Sequence, residues 1–178
     1  MVAAGDDAIA AGAIVVATRR LNIRRLTLGD APFILKLLND PAWLRFIGDK
    51  GVRTLDDARR YIADGPMAMY ERDGFGLYLV VRKTSGASMG LFGLIRREGL
   101  EDVDIGFALL PEFHGRGYGH EAAAAVIELG RKVFGLERIV AITSPDNLDS
   151  IRLIERLGLR FERRILLPHG RDEILLYA

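Results

Sequence analysis

The stretch Ile105-Gly106-Phe107-Ala108-Leu109-Leu110-Pro111-Glu112-Phe113-His114-Gly115-Arg116-Gly117-Tyr118-Gly119-His120-Glu121-Ala122 runs from an apolar strand, through three alternating glycines, into an alanine-rich helix. That order builds an anion cradle. Glycines permit tight turns and close backbone approach, and the first turn of a helix presents unpaired N–H groups at the positive end of its dipole. A pyrophosphate is the natural guest. A P-loop is disfavoured because no Gly-Lys-Ser/Thr follows the glycines, and a dinucleotide fold because the preceding strands read as hairpins rather than βαβ units.

Working outward, Gly76 to Arg82, Met89 to Arg97 and Val103 to Leu110 read as successive antiparallel strands, separated by turns at Ser85-Gly86 and Glu98-Gly99. Upstream, Arg19 to Leu26 alternates as a strand. Thr27 caps a helix that runs to Asn39 and is ended by Asp40-Pro41. Thr54, followed by Asp56 and Asp57, opens a second helix whose apolar positions Leu55, Ala58, Tyr61 and Ile62 keep helical spacing toward Tyr70. Downstream of the glycines, Gly117 to Phe134 is helical and Arg138 to Thr143 is a short strand. Asn147 or Asp146 caps a further helix that Gly158 ends. Arg160 to Leu167 and Glu173 to Tyr177 then form a closing hairpin. The strand, helix, strand order in the middle demands a parallel crossover among hairpins. The class is α+β: a mixed central sheet flanked by helices, mostly antiparallel, with a parallel pair at the glycine-rich site.

Composition frames this reading. The chain has 178 residues, 49% apolar and 28% charged, which suits one globular domain with a full core. A net charge of +1 gives no general pull toward nucleic acid or a membrane surface, and the absence of cysteine excludes disulfides, thiolate nucleophiles and zinc-thiolate sites. Met1 to Ala17 reads as a flexible leader; Asp6 and Asp7 stand where a secretory signal would be basic. The expectation is one domain over 18–178 in the cytoplasm, a monomer or homodimer, with no membrane contact and no direct nucleic-acid binding.

From Thr18 onward the chain resembles the GNAT superfamily of N-acetyltransferases, and within it the ribosomal-protein N-terminal acetyltransferases. Three segments carry the resemblance: Thr18 to Ala31, Asp104 to Ala122, and Asn147-Leu148-Asp149-Ser150-Ile151-Arg152-Leu153-Ile154-Glu155-Arg156-Leu157-Gly158-Leu159. The family's loop pattern Q/R-x-x-G-x-G/A is met by Gly117 and Gly119, with His114 in place of Gln/Arg. The resemblance implies acetyl-CoA as co-substrate and no metal. Its pyrophosphate would rest on backbone N–H groups from Gly115, Arg116, Gly117, Tyr118, Gly119 and His120, with His114 auxiliary. Its pantetheine arm would pair with backbone groups from Phe107, Ala108 and Leu109 as an added strand would. Asn147 would contact the co-substrate or a water.

The same resemblance implies direct transfer to an amine, with the thioester oxyanion held by a strand N–H near Phe107 or Ala108. Asp104, where related enzymes carry Glu, is the leading base, acting through water; Asp102, Glu101 and Glu121 are alternatives. The family's proton-donating Tyr falls at Ile154, so Ser150, one turn earlier, is the candidate donor to the leaving thiolate. Trp43 to Val52, with Met67, Met69 and Tyr70, is the candidate acceptor groove. A peptide or protein N-terminal α-amine is the first acceptor expected, with a small-molecule amine (amino acid, polyamine or antibiotic) or a non-catalytic acyl-CoA-binding module as the competing readings.

Overall fold

A computed structural model describes residues 11–178. Apolar residues with turn glycines between them produce a meander of β3 (Leu77–Arg82), β4 (Ser88–Ile95) and β5 (Val103–Leu109), in which most β3 and β4 residues are buried. Glycines permit its tight pairing. A Cβ on Gly90 would lie 2.1 Å from the carbonyl of Ala108, and one on Gly93 would lie 2.0 Å from that of Gly76.

The meander sits at the centre of an eight-stranded sheet. On one side it continues into β2 (Leu21–Arg24) and then β1 (Ile14–Ala17), both antiparallel. On the other, β6 (Ile139–Thr143) runs parallel to β5 and is followed in space by β8 (Ile174–Tyr177) and β7 (Phe161–Ile165). The order is therefore β1-β2-β3-β4-β5-β6-β8-β7, with β5–β6 as the parallel pair.

Helices α1 (Ala31–Leu38), α2 (Pro41–Phe46), α3 (Leu55–Ile62) and α4 (Ala68–Asp73) connect β2 to β3, while α5 (Tyr118–Lys132) and α6 (Leu148–Arg156) flank β6 in sequence. The apolar face of α5, Ala122, Ala123, Val126 and Ile127, is buried in the core with Phe92 and Leu94 of β4. Ile34, Leu37 and Leu38 of α1 join the same core with Ala58 and Ile62 of α3.

Three boundaries differ from the sequence expectation. Ile14–Ala17, assigned above to a flexible leader, forms the edge strand β1; its partner β2 begins only after a turn in which the Thr18 N–H donates to the Leu21 carbonyl at 2.9 Å. The strand expected from Arg19 is thus a hairpin's second arm, and the remainder of the leader, 1–10, lies outside the described residues. Asp40-Pro41 does end α1, but it also starts α2: the Asp40 carboxylate accepts from the Ala42 N–H, and Pro41 occupies the first helical turn, where its missing donor costs nothing. The long helix expected from Thr54 is broken by a π-helical segment, Ala63–Met67, around Pro66, which cannot donate within a regular helix.

Candidate active site

The parallel seam is short. Val103 pairs with Ile139 and Asp104 with Val140, and beyond those two positions β5 and β6 part. The β4 side of β5 remains fully paired from Asp104 to Leu109. The Leu110 N–H donates to the Met89 carbonyl at 2.9 Å, which fixes the phase of the alternation. Backbone groups of even-numbered residues face β4, and those of Phe107 and Leu109 face the gap. The expectation for Phe107 and Leu109 therefore has a geometric basis. Ala108 differs, because its carbonyl is turned onto β4 against Gly90.

The strand leads through Pro111–Phe113 into the glycine loop. Gly115 and Gly117 adopt φ of +72° and +77°, left-handed values that favour glycine. Gly117 is the N-cap of α5 and supplies no side chain, so Tyr118, Gly119 and His120 present first-turn N–H groups, the Glu121 N–H alone reaching back to the Gly117 carbonyl at 3.1 Å. A fifteen-residue helix stands behind that end, adding a positive dipole terminus. The loop thus ends on three first-turn N–H groups that no helical carbonyl takes. Its histidine side chains contact carbonyls: His114 donates through Nε2 to the Leu109 carbonyl at 2.8 Å, and His120 Nε2 lies 3.3 Å from the Arg156 carbonyl. The first closes off one acceptor on the gap side of β5; the second ties α5 to α6.

Asp104 is 1% exposed at the seam, with both carboxylate oxygens facing Arg97, at 3.3 and 3.2 Å. Burial raises its pKa against the opposing pull of the Arg97 guanidinium. The Tyr61 phenol of α3 is pushed up to about 12 by burial and feels the same Arg97, so α3 lies beside this ion pair. Alternation places the Asp104 side chain on the face of β5 opposite Phe107, whose ring stacks on Phe92 at 5.8 Å.

Of the alternative bases, Glu101 is exposed and the other two are committed to partners. Asp102 is bonded to Arg138 at 2.8 Å, and both Glu121 oxygens are held by Thr18 and Arg20. Asn147 caps α6, its Oδ1 accepting from the Ser150 N–H at 3.2 Å. Ser150 is half-buried, whereas Ile154, four residues along, is fully buried in the core.

The candidate acceptor residues divide. Trp43, Val52 and Tyr70 are core side chains, Tyr70 stacking on Tyr78 at 5.5 Å and donating to the Leu77 carbonyl. Leu44 and Ile47 of the same region remain exposed. Two exposed ion pairs link the α1–α2 segment to the ends of these strands: Lys36 to Glu112, just past β5, at 3.2 Å, and Arg45 to Asp146, just past β6, at 3.1 Å. Sequence reasoning missed both, since neither pair shares a local pattern. No helix among the described residues is long and apolar enough to cross a membrane.

Residues 20–160 match the acetyltransferase (GNAT) domain family. The uncharacterised N-acetyltransferase YnaD of Bacillus subtilis (strain 168) is 27% identical over 147 residues, covering 83% of each chain. An acetyltransferase from Agrobacterium tumefaciens str. C58 superposes with a TM-score of 0.77 at 25% identity, covering 91% of both chains. The ribosomal L7/L12 α-N-protein acetyltransferase RimL, solved with coenzyme A, shares the fold with a TM-score of 0.78 at 18% identity, over 93% of this chain and 96% of that one.

Proposed function

Because the chain belongs to the GNAT acetyltransferase family and is an N-acetyltransferase, we propose that it passes acetyl from acetyl-CoA directly to a primary amine, the acceptor being the α-amine of a peptide or protein N-terminus. The observation that carries this reading is the continuity of the open β5 edge with the side-chain-free N-terminus of α5. An extended arm bearing amides suits the first, and a pyrophosphate suits the second.

In this reading the pantetheine arm lies along Phe107 and Leu109, and the thioester carbonyl meets a gap-facing N–H, which by alternation belongs to Phe107 rather than Ala108. The amine attacks the carbonyl carbon, a C–N bond forms as the C–S bond breaks, and the sulfur leaves as thiolate. Ser150, whose backbone is fixed by Asn147, relays a proton toward it. Ile154 has no proton to give. Asp104 accepts the amine proton through water, its basicity increased by burial. The contact with Arg97 favours a second role, a purely structural ion pair, and Asp104→Asn separates the two as described below.

An α-amine with a pKa of about 8 is partly neutral at pH 7, whereas a lysine near 10.4 is almost wholly protonated, so a site whose one buried carboxylate is already paired favours the former. Thiol release should be measured with a peptide bearing a free N-terminus, the same peptide blocked at its N-terminus but containing lysine, and a polyamine. The free N-terminus should give the fastest turnover. Preference for the polyamine would overturn the acceptor assignment, and binding of coenzyme A with no thiol release from any amine would favour the non-catalytic module.

A further inference from the structure

The glycine loop is held from outside by a residue 96 positions away in sequence. Arg20, in the turn between β1 and β2, donates from Nη1 to the Arg116 carbonyl at 3.0 Å, in the middle of the loop. Its guanidinium carbon lies 4.3 Å from the centre of the Tyr118 ring, and its Nη2 lies 3.4 Å from where a Cβ on Gly117 would be. Three consecutive loop residues therefore meet one planar group. That group is itself fixed: Nε donates to Glu121 Oε2 at 2.6 Å, the Arg20 N–H donates to Glu121 Oε1 at 2.9 Å, and the Thr18 hydroxyl donates to the same oxygen at 2.6 Å. The assembly is mostly shielded from solvent, with Arg20 and Glu121 side chains 32% and 18% exposed.

We infer that Arg20 is a positioning residue for the pyrophosphate cradle, setting the orientation of the Arg116–Tyr118 backbone without touching the anion itself. The inference rests on the acetyl-CoA reading above. The chemistry favours positioning over direct contact, because Nε and Nη1 donate to Glu121 and the Arg116 carbonyl, and the carboxylate neutralises the charge an anion would seek. Donation to the Arg116 carbonyl fixes the peptide plane between Arg116 and Gly117, and with it the direction of the Gly117 N–H. A loop with two left-handed glycines would otherwise sample other orientations of that plane, and each would have to be frozen out on binding.

Charge and positioning make opposite forecasts for Glu121. If local charge alone mattered, Glu121→Gln would remove a negative group beside the anion site and tighten coenzyme A binding. If Glu121 holds Arg20 in place, the same change weakens it. Affinities for coenzyme A, by calorimetry, and for pantetheine, which has the arm but no phosphate, by NMR titration, should be compared in wild type, Arg20→Ala, Arg20→Lys and Glu121→Gln. Arg20→Ala should weaken coenzyme A about tenfold and Glu121→Gln about threefold, with pantetheine unchanged within about twofold. Arg20→Lys, which keeps the charge but cannot serve Glu121 and Arg116 at once, should fall between Arg20→Ala and wild type. Should Arg20→Ala not fold, the other two variants carry the test. Equal losses for coenzyme A and pantetheine, or tighter coenzyme A binding by Glu121→Gln, would overturn the inference. Failure of wild type to bind coenzyme A would instead remove the reading on which it rests.

Discussion

Gly117 has φ of +77° and stands where α5 begins, so a side chain there meets two obstacles: a backbone region that L residues rarely adopt and, in the proposed binding mode, a surface an anion must approach closely. Coenzyme A at about a hundred times its dissociation constant should stabilise wild type by roughly 2.7 kcal/mol, a melting shift of about 5–10 °C for a domain of this size. Gly117→Val should abolish that shift while still melting cooperatively, and an undiminished shift would remove the loop from the binding site. Asp104 is the other decisive side chain. Its pKa is raised by burial, so the folded chain holds the proton more tightly than the unfolded chain, and the carboxyl's contribution to stability declines as pH rises above the ordinary 3.8. If it is the base, Asp104→Asn should cut turnover by about tenfold to a hundredfold and remove the acidic limb of the pH–rate profile, with coenzyme A affinity held. A change in melting temperature with turnover intact would make it the structural partner of Arg97. Ile154 admits no such role: its side chain is 0% exposed, and a tyrosine there would overpack the core.

Between elements, the tie from the β1–β2 turn to α5 has a pH signature opposite to that of Asp104. Burial pushes the Glu121 carboxyl up, but the Thr18 hydroxyl and the N–H groups of Arg20 outweigh it, leaving its pKa below the ordinary 4.5. Its stabilisation is therefore complete above that value and is lost as pH falls through the folded pKa. Glu121→Gln should melt about 3–8 °C below wild type at pH 7, and the gap should close as pH falls through the folded carboxyl's pKa, as followed by circular dichroism; a gap that stays constant through the acid range would mean the carboxylate's charge contributes nothing. Nothing local announces this tie, because its partners lie 101 residues apart. The strands of the meander were legible because alternation and turn glycines act over a few residues, and the loop was legible because its glycines mark backbone directions that other residues avoid. Elements whose signals are ambiguous were not. Asp40-Pro41 reads equally as a stop and as a start, and β1 is a run of only four residues behind an alanine-rich segment, too short to show an alternation. The separation of β5 from β6 was illegible for a different reason: a parallel register is set by the crossover between the strands, not by either strand.

For the whole molecule, the seam between β5 and β6 governs more than where a ligand lies. The hairpins β3–β4 and β4–β5 close short loops, whereas joining Val103 to Ile139 requires α5 to have crossed over first. Parallel pairing across such a crossover is slow to nucleate. The cradle stands at the start of that crossover and is braced by the turn between β1 and β2, which predicts that it is completed late, on the native side of the folding barrier. An interaction absent from the transition state acts on the unfolding rate alone. Stopped-flow measurements at a hundred times the dissociation constant should therefore show unfolding slowed about a hundredfold by coenzyme A, with the refolding limb unmoved. Faster refolding would instead place the cradle inside the folding nucleus. If only the unfolding limb responds, depleting the co-substrate shortens the lifetime of each native molecule without delaying the birth of the next.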